Sequence, residues 1–174
     1  RGLVWLAVLA VEIAIVIYGW KRDRLAITFA GLALAALQFA GTRAPVDEAQ
    51  AWITFGGDGG AMVIGTLLIA CFFVAKLREH GLRWGLLVIG AAAFVDTFAT
   101  WWSARSDIDV IPFGEIEGVG LSDPSKLQEV YGWSTGQLVH RYVVLGLACL
   151  VALAIIYAWS VARSYLRTRA PTPE

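Results

Sequence analysis

Apolar residues run along this chain in long blocks, not singly at strand or surface-helix spacing. Five blocks, 2–20, 25–42, 60–75, 85–102 and 138–161, are almost free of charge and are divided by polar stretches. About 20 apolar residues of helix cross ~30 Å of hydrocarbon, so the pattern predicts five transmembrane helices. The third block is the shortest, and Gly56, Gly57, Gly59 and Gly60 loosen its start. The polar stretch 103–137 is the only sizeable region outside these blocks, too small to build a core of its own. Within it, Ser-Asp-Pro-Ser-Lys-Leu at 122–127 reads as a helix start, with Asp123 as the cap and Pro124 at the first helical position. This short helix covers about 124–131 and ends at Gly132. Ser134 and Gln137 then have capping-box spacing ahead of the last block. The fold expected is an all-α integral membrane protein, one membrane domain over residues 1–174 with a short interfacial helix in its long loop.

The polar stretches alternate in charge. Residues 20–24, 76–83 and the tail with Arg163, Arg167 and Arg169 are basic. Acids prevail around Asp47, Glu48 and Asp58, and again in 103–137, where six carboxylates face Arg105 and Lys126. Lysine and arginine collect in cytoplasmic loops, so the N-terminus is expected outside, the C-terminus in the cytoplasm, and 103–137 outside. The setting expected is a bacterial cytoplasmic (inner) membrane. A chain opening on Arg1 also suits an upstream segment, either a cleaved signal or one further helix. Trp52, Phe55, Trp101, Trp102 and Trp133 fall near the outer boundary and Trp20, Trp84, Tyr157 and Trp159 near the inner one, the placement of interface anchors.

Composition agrees with the blocks: 58% of the 174 residues are hydrophobic and 16% charged, with a mean hydropathy of +0.66. Fourteen basic residues balance fourteen acidic ones, so no basic surface calls for nucleic acid. Cys71 and Cys149 lie inside apolar blocks and imply no disulfide framework.

Ionisable groups within the blocks are the candidate chemistry, because they are costly in lipid and generally meet a partner or water. Glu12 lies mid-helix in the first block. Asp96 lies about 9 Å below the outer boundary at 1.5 Å per residue, and His140 and Arg141 open the last block. Asp96 and Arg141, opposite in charge and in the same leaflet, are expected to pair. Glu12 has no obvious partner at its depth, the alternatives being a protonated carboxyl, backbone or Gln38, or a residue of another chain. Phe113, Glu115 and Glu117, in the mixed apolar and acidic run 111–120, are expected to serve as a docking surface for other membrane subunits.

Asp58 stands among four glycines at the mouth of the third block, where it is expected to cap the helix. The stretch Gly-Asp-Gly-Gly-Ala-Met also resembles the Asp-Gly-Gly element of site-two-protease-like intramembrane zinc metallopeptidases. That resemblance covers about eight residues and implies a zinc-ligand role for Asp58 alone. The family's H-E-x-x-H motif is absent, since the histidines are His80 and His140. A replacement site from Asp58, Asp96 and His140 would be the remaining route to zinc.

No phosphate loop, dinucleotide fingerprint, heme-attachment motif or serine-triad signature is present, and the reading leans away from an enzyme. The function expected is a non-catalytic multi-pass membrane protein, an accessory or structural subunit of a larger complex, with the bilayer and other subunits as partners and no cofactor. The alternatives are a metallopeptidase-like membrane enzyme or its degenerate relative, with zinc, and a small ion or proton translocator using Glu12 and Asp96.

Overall fold

A computed structural model describes residues 2–22, 24–43, 45–73, 81–118 and 120–168. Its helices are α1 (Gly2–Lys21), α2 (Leu25–Arg43), α3 (Val46–Ala70), α4 (Leu82–Ser103), α5 (Asp123–Glu129) and α6 (Thr135–Thr168). One small hairpin, β1 (Glu115–Ile116) against β2 (Gly120–Leu121), interrupts them. Among the described residues, four helical stretches are long and apolar enough to cross a membrane, Val4–Lys21, Val46–Phe73, Leu82–Ser103 and Thr135–Leu166. The protein is therefore all-α in its architecture and has the make-up of an integral membrane protein. Most of the basic connection 76–83 and the end of the third block lie outside the described residues, as does Arg169.

The chain forms two compact units, residues 1–50 and 51–174. In the first, α1 and α2 make an antiparallel hairpin whose tight turn is closed by the Arg24 N–H donating to the Gly19 carbonyl at 2.9 Å. Each helix turns one stripe inward, Trp5, Leu9, Glu12, Val16 and Gly19 on α1 and Thr28, Gly31, Ala35 and Gln38 on α2. This spacing of three and four is the seam spacing of a helix pair. Glycine sets the approach: a Cβ at Gly19 would lie 2.6 Å from the Thr28 nitrogen, and one at Gly31 2.7 Å from Val16 Cγ2. Gln38 Nε2 donates to the Trp5 carbonyl at 3.0 Å and fixes the far end.

In the second unit α3, α4 and α6 surround a core that includes Met62, Phe94, Trp101, Leu138, Tyr142 and Cys149. α3 and α4 cross backbone to backbone, since a Cβ at Gly65 would lie 2.7 Å from the Gly90 carbonyl oxygen and one at Gly90 2.6 Å from that of Gly65. α4 and α6 meet where the Phe98 ring lies against Gly146, leaving no room for a side chain there. The outer faces are apolar, with Val88, Ile89, Val95, Val151 and Ile155 all exposed, as suits a helix surface solvated by lipid.

Residues 104–134 form a folded cap, not a loose loop. Ile111 and Leu127 are buried in the same core as Trp101 and Leu138. The Gly114 N–H donates to Ser125 Oγ at 2.8 Å and the Ser122 N–H to the Gly114 carbonyl at 2.8 Å, which pins the hairpin to α5. Gly118 (φ 78°), in the hairpin turn, and Gly120 (φ 97°), at the start of β2, adopt a backbone region that disfavours side chains. The cap of α5 differs from expectation. Ser122 occupies the position, its Oγ accepting from the Ser125 N–H at 3.4 Å, while Asp123 falls inside the helix. The expected capping box of α6 is present, with the Gln137 N–H donating to Ser134 Oγ at 3.3 Å and the Ser134 N–H to Gln137 Oε1 at 3.0 Å.

Candidate functional site

The expected cap role of Asp58 does not hold, because α3 begins at Val46 and runs straight through the glycines. Its start is written in Pro45, whose carbonyl accepts from the Ala49 N–H at 2.9 Å, and in Asp47 and Glu48 in the first turn, where the helix dipole favours carboxylates. With that start, Ala51, Phe55, Asp58, Met62, Gly65 and Ile69 form one stripe that faces the core. Asp58 is thus a half-buried carboxylate in mid-helix, one turn before Met62.

Its partner comes from α4. Trp101 Nε1 donates to Asp58 Oδ2 at 2.9 Å, and the indole is fully buried. From α6, the Tyr142 ring stacks on Trp101 at 3.9 Å between centroids and on Phe55 at 4.3 Å. The Tyr142 hydroxyl donates to the Phe55 carbonyl at 3.2 Å. From the cap, the Asp123 carboxylate lies directly against Gly57, where any Cβ would strike it. α3, α4, α5 and α6 therefore each place a residue within one small region, and its two hydrogen bonds run between helices. An indole N–H and a phenol O–H sealed from water need acceptors, and a carboxylate and a free carbonyl lone pair supply them.

The aromatic column continues outward. Phe55 packs near Trp133 at 5.8 Å and Trp52 lies edge-on to Trp133 at 5.5 Å. The Arg141 guanidinium sits 3.8 Å above the Trp133 ring and 5.2 Å from that of Trp52. Here the pairing expected between Asp96 and Arg141 gives way to cation–π contact, the use for which a planar, weakly hydrated guanidinium is suited. Helix phase explains it. Asp96 precedes Trp101 by five residues, about 140° around α4, so the face that buries Trp101 turns Asp96 outward. Asp96 is exposed beside Ala61, Ala92, Ala93 and Thr97.

The remaining candidates are dispersed. His140 is exposed beside a cavity between the end of α4 and the start of α6. Phe113, Glu115 and Glu117 are exposed on the hairpin. Glu12 is buried in the hairpin of the first unit, and among the described residues its Oε2, Gln38 Oε1 and Trp5 Nε1 have no hydrogen-bond partner. Among the described residues no three His, Cys, Asp or Glu side chains converge as metal ligands, so Asp58, Asp96 and His140 do not assemble. Sequence reading missed Tyr142 and Asp123 at this region. The burial of Trp101 was legible only from the register of α3 and α4 together.

No protein-family model, curated protein or solved structure matches the chain.

Proposed function

We propose that this chain is a non-catalytic multi-pass membrane protein, an accessory or structural subunit that docks onto a larger membrane assembly. In this reading it spans a bacterial inner membrane five times, with the cap outside, α5 at the interface and the C-terminus in the cytoplasm. The alternation of loop charge supports the orientation.

The observation that carries the reading is the construction of the cap. Its inner side is fixed by Ile111, Leu127 and the Ser122 and Ser125 hydrogen bonds, while its hairpin leaves Phe113, Glu115, Ile116 and Glu117 exposed. A hairpin tied to α5 by hydrogen bonds, with apolar and acidic side chains turned out, is suited to protein recognition. In the core of the second unit, Trp101 is meanwhile engaged with Asp58 and Tyr142 with the Phe55 carbonyl, which favours a structural use.

Native electrophoresis of gently solubilised membranes tests this. The chain should migrate within a larger assembly, and Phe113→Ser with Glu115→Lys and Glu117→Lys should release it while its helices remain inserted. Migration as a monomer in both cases would overturn the subunit reading. So would stoichiometric zinc that is lost on Asp58→Ala, which would favour the metallopeptidase-like alternative.

A further inference from the structure

We infer that the cavity between the end of α4 and the start of α6 is a binding site for one anionic phospholipid. This rests on the helices lying in a membrane and not on the subunit proposal above.

The cavity has a volume of about 450 Å³ and an open mouth. It exists because α4 and α6 touch at Phe98 and Gly146 and then diverge, the small Ala104 and Gly136 on its lining leaving room above that contact. Val139 and Val143 make an apolar wall, and Ile108 forms the rim from the 3-10 turn that follows α4. The lining carries the Arg105 guanidinium and the His140 imidazole, with no carboxylate among them. That is unusual for this cap, whose other ionisable groups are mainly acids. The closest acid in sequence, Asp107, is folded back, its Oδ1 accepting from the Asp109 N–H at 3.1 Å.

Arg105 is already positioned for an anion. Its guanidinium lies 3.4 Å over the Trp102 ring and its Nε donates to the Trp102 carbonyl at 3.2 Å. The two terminal NH₂ groups are left to fork onto phosphate oxygens. His140 supplies an imidazole N–H from the other wall. Thr135 accepts from Gln128 Nε2 at 3.4 Å, so its own hydroxyl hydrogen is available to donate into the cavity.

The occupant follows from depth and shape. Arg105 and His140 stand where apolar helices give way to the cap, the level of lipid headgroups, beside the exposed Trp102. Below them on α6, Leu147 and Val151 are exposed about two and three turns further along the His140 face, a track for an acyl chain. A free anion would use Arg105 and His140 but not that track, whereas a zwitterionic lipid would bring its own cation against Arg105.

Native mass spectrometry of the whole chain in mild detergent should show one phosphatidylglycerol retained in preference to phosphatidylcholine of the same chains. Arg105→Gln with His140→Asn should weaken that retention by about tenfold or more, the loss expected when charge-assisted hydrogen bonds to phosphate go. Ile108→Trp, on an exposed rim position, should block the mouth and lower retention with Arg105 and His140 both in place. Equal retention of the two lipids, or phosphatidylglycerol retained undiminished by either variant, would overturn the site. Thermal stabilisation by millimolar inorganic phosphate equal to that by phosphatidylglycerol would overturn the lipid in favour of a free anion.

Discussion

Replacing Asp58 with alanine leaves the Trp101 indole N–H buried without an acceptor, since the ring is fully enclosed and its 2.9 Å partner is the Asp58 carboxylate. An unsatisfied buried donor costs about 1–3 kcal/mol. In a chain of this size each kcal/mol moves the melting midpoint by roughly 2–4 °C, so Asp58→Ala should melt several degrees below the native protein. Asp58→Asn keeps an acceptor oxygen at the same place and should recover most of the loss. Trp101→Phe removes the donor instead, and the double variant should be less destabilised than the sum of the singles by about 1 kcal/mol or more. Heating the detergent-solubilised protein and following the monodisperse fraction by size exclusion gives the midpoints. Steric trapping gives the free energies. Alanine and asparagine variants of equal stability would refute the hydrogen bond as a source of stability, and so would an additive cycle.

Gly65→Val should strongly destabilise the second unit, because a Cβ at that position already meets the Gly90 carbonyl oxygen at 2.7 Å; retention of the native melting midpoint would show that the two helices separate more freely than their crossing allows. Gln38→Leu should loosen the hairpin of the first unit by about 1 kcal/mol, the usual net worth of one such hydrogen bond, seen as faster proteolysis in the 22–24 turn with the second unit unaffected. Cysteines placed at Ser106 and Thr168 should react with an impermeant maleimide from opposite sides of intact membranes, and reaction from one side would rule out the proposed orientation.

The apolar blocks marked α1, α2, α4 and α6 because a run of lipid-compatible residues needs no tertiary knowledge to be read. The capping box at Ser134 and Gln137 was equally local, two side chains and two backbone groups within four residues. α3 was misread at its start because each glycine disfavours helix by ~1 kcal/mol, and four of them near Asp58 looked like a loop. Tertiary contact outweighs that preference. Gly57 admits the Asp123 carboxylate and Gly59 admits Leu145, so the same residues that weaken the helix alone let it pack. Azimuth was not readable from the sequence, and the 140° between Asp96 and Trp101 separated two charges that had been expected to pair. Trp101 looked like an interface anchor for the same reason, its phase being set by a partner helix whose register was displaced.

The recurring use of glycine and of single polar contacts has a common cause. Lipid is as apolar as a leucine side chain, so hydrophobic burial gives helices in a membrane little reason to prefer one neighbour or one register. Specificity has to come from close approach and from hydrogen bonds that lipid cannot supply. The hairpin of α1 and α2 has Gly19 and Gly31 for approach and Gln38 on the Trp5 carbonyl for register. α3 and α4 have Gly65 against Gly90, with Asp58 holding Trp101 at the far end. α3 and α6 have Gly59 against Leu145, with Tyr142 on the Phe55 carbonyl. In each pair the glycine contact and the polar contact are separated along the axis, and two fixed points define both the crossing and the slide. Asp58 belongs to this set. Its hydrogen bond to Trp101 places α4 against α3, which explains why a carboxylate stands in mid-helix among glycines.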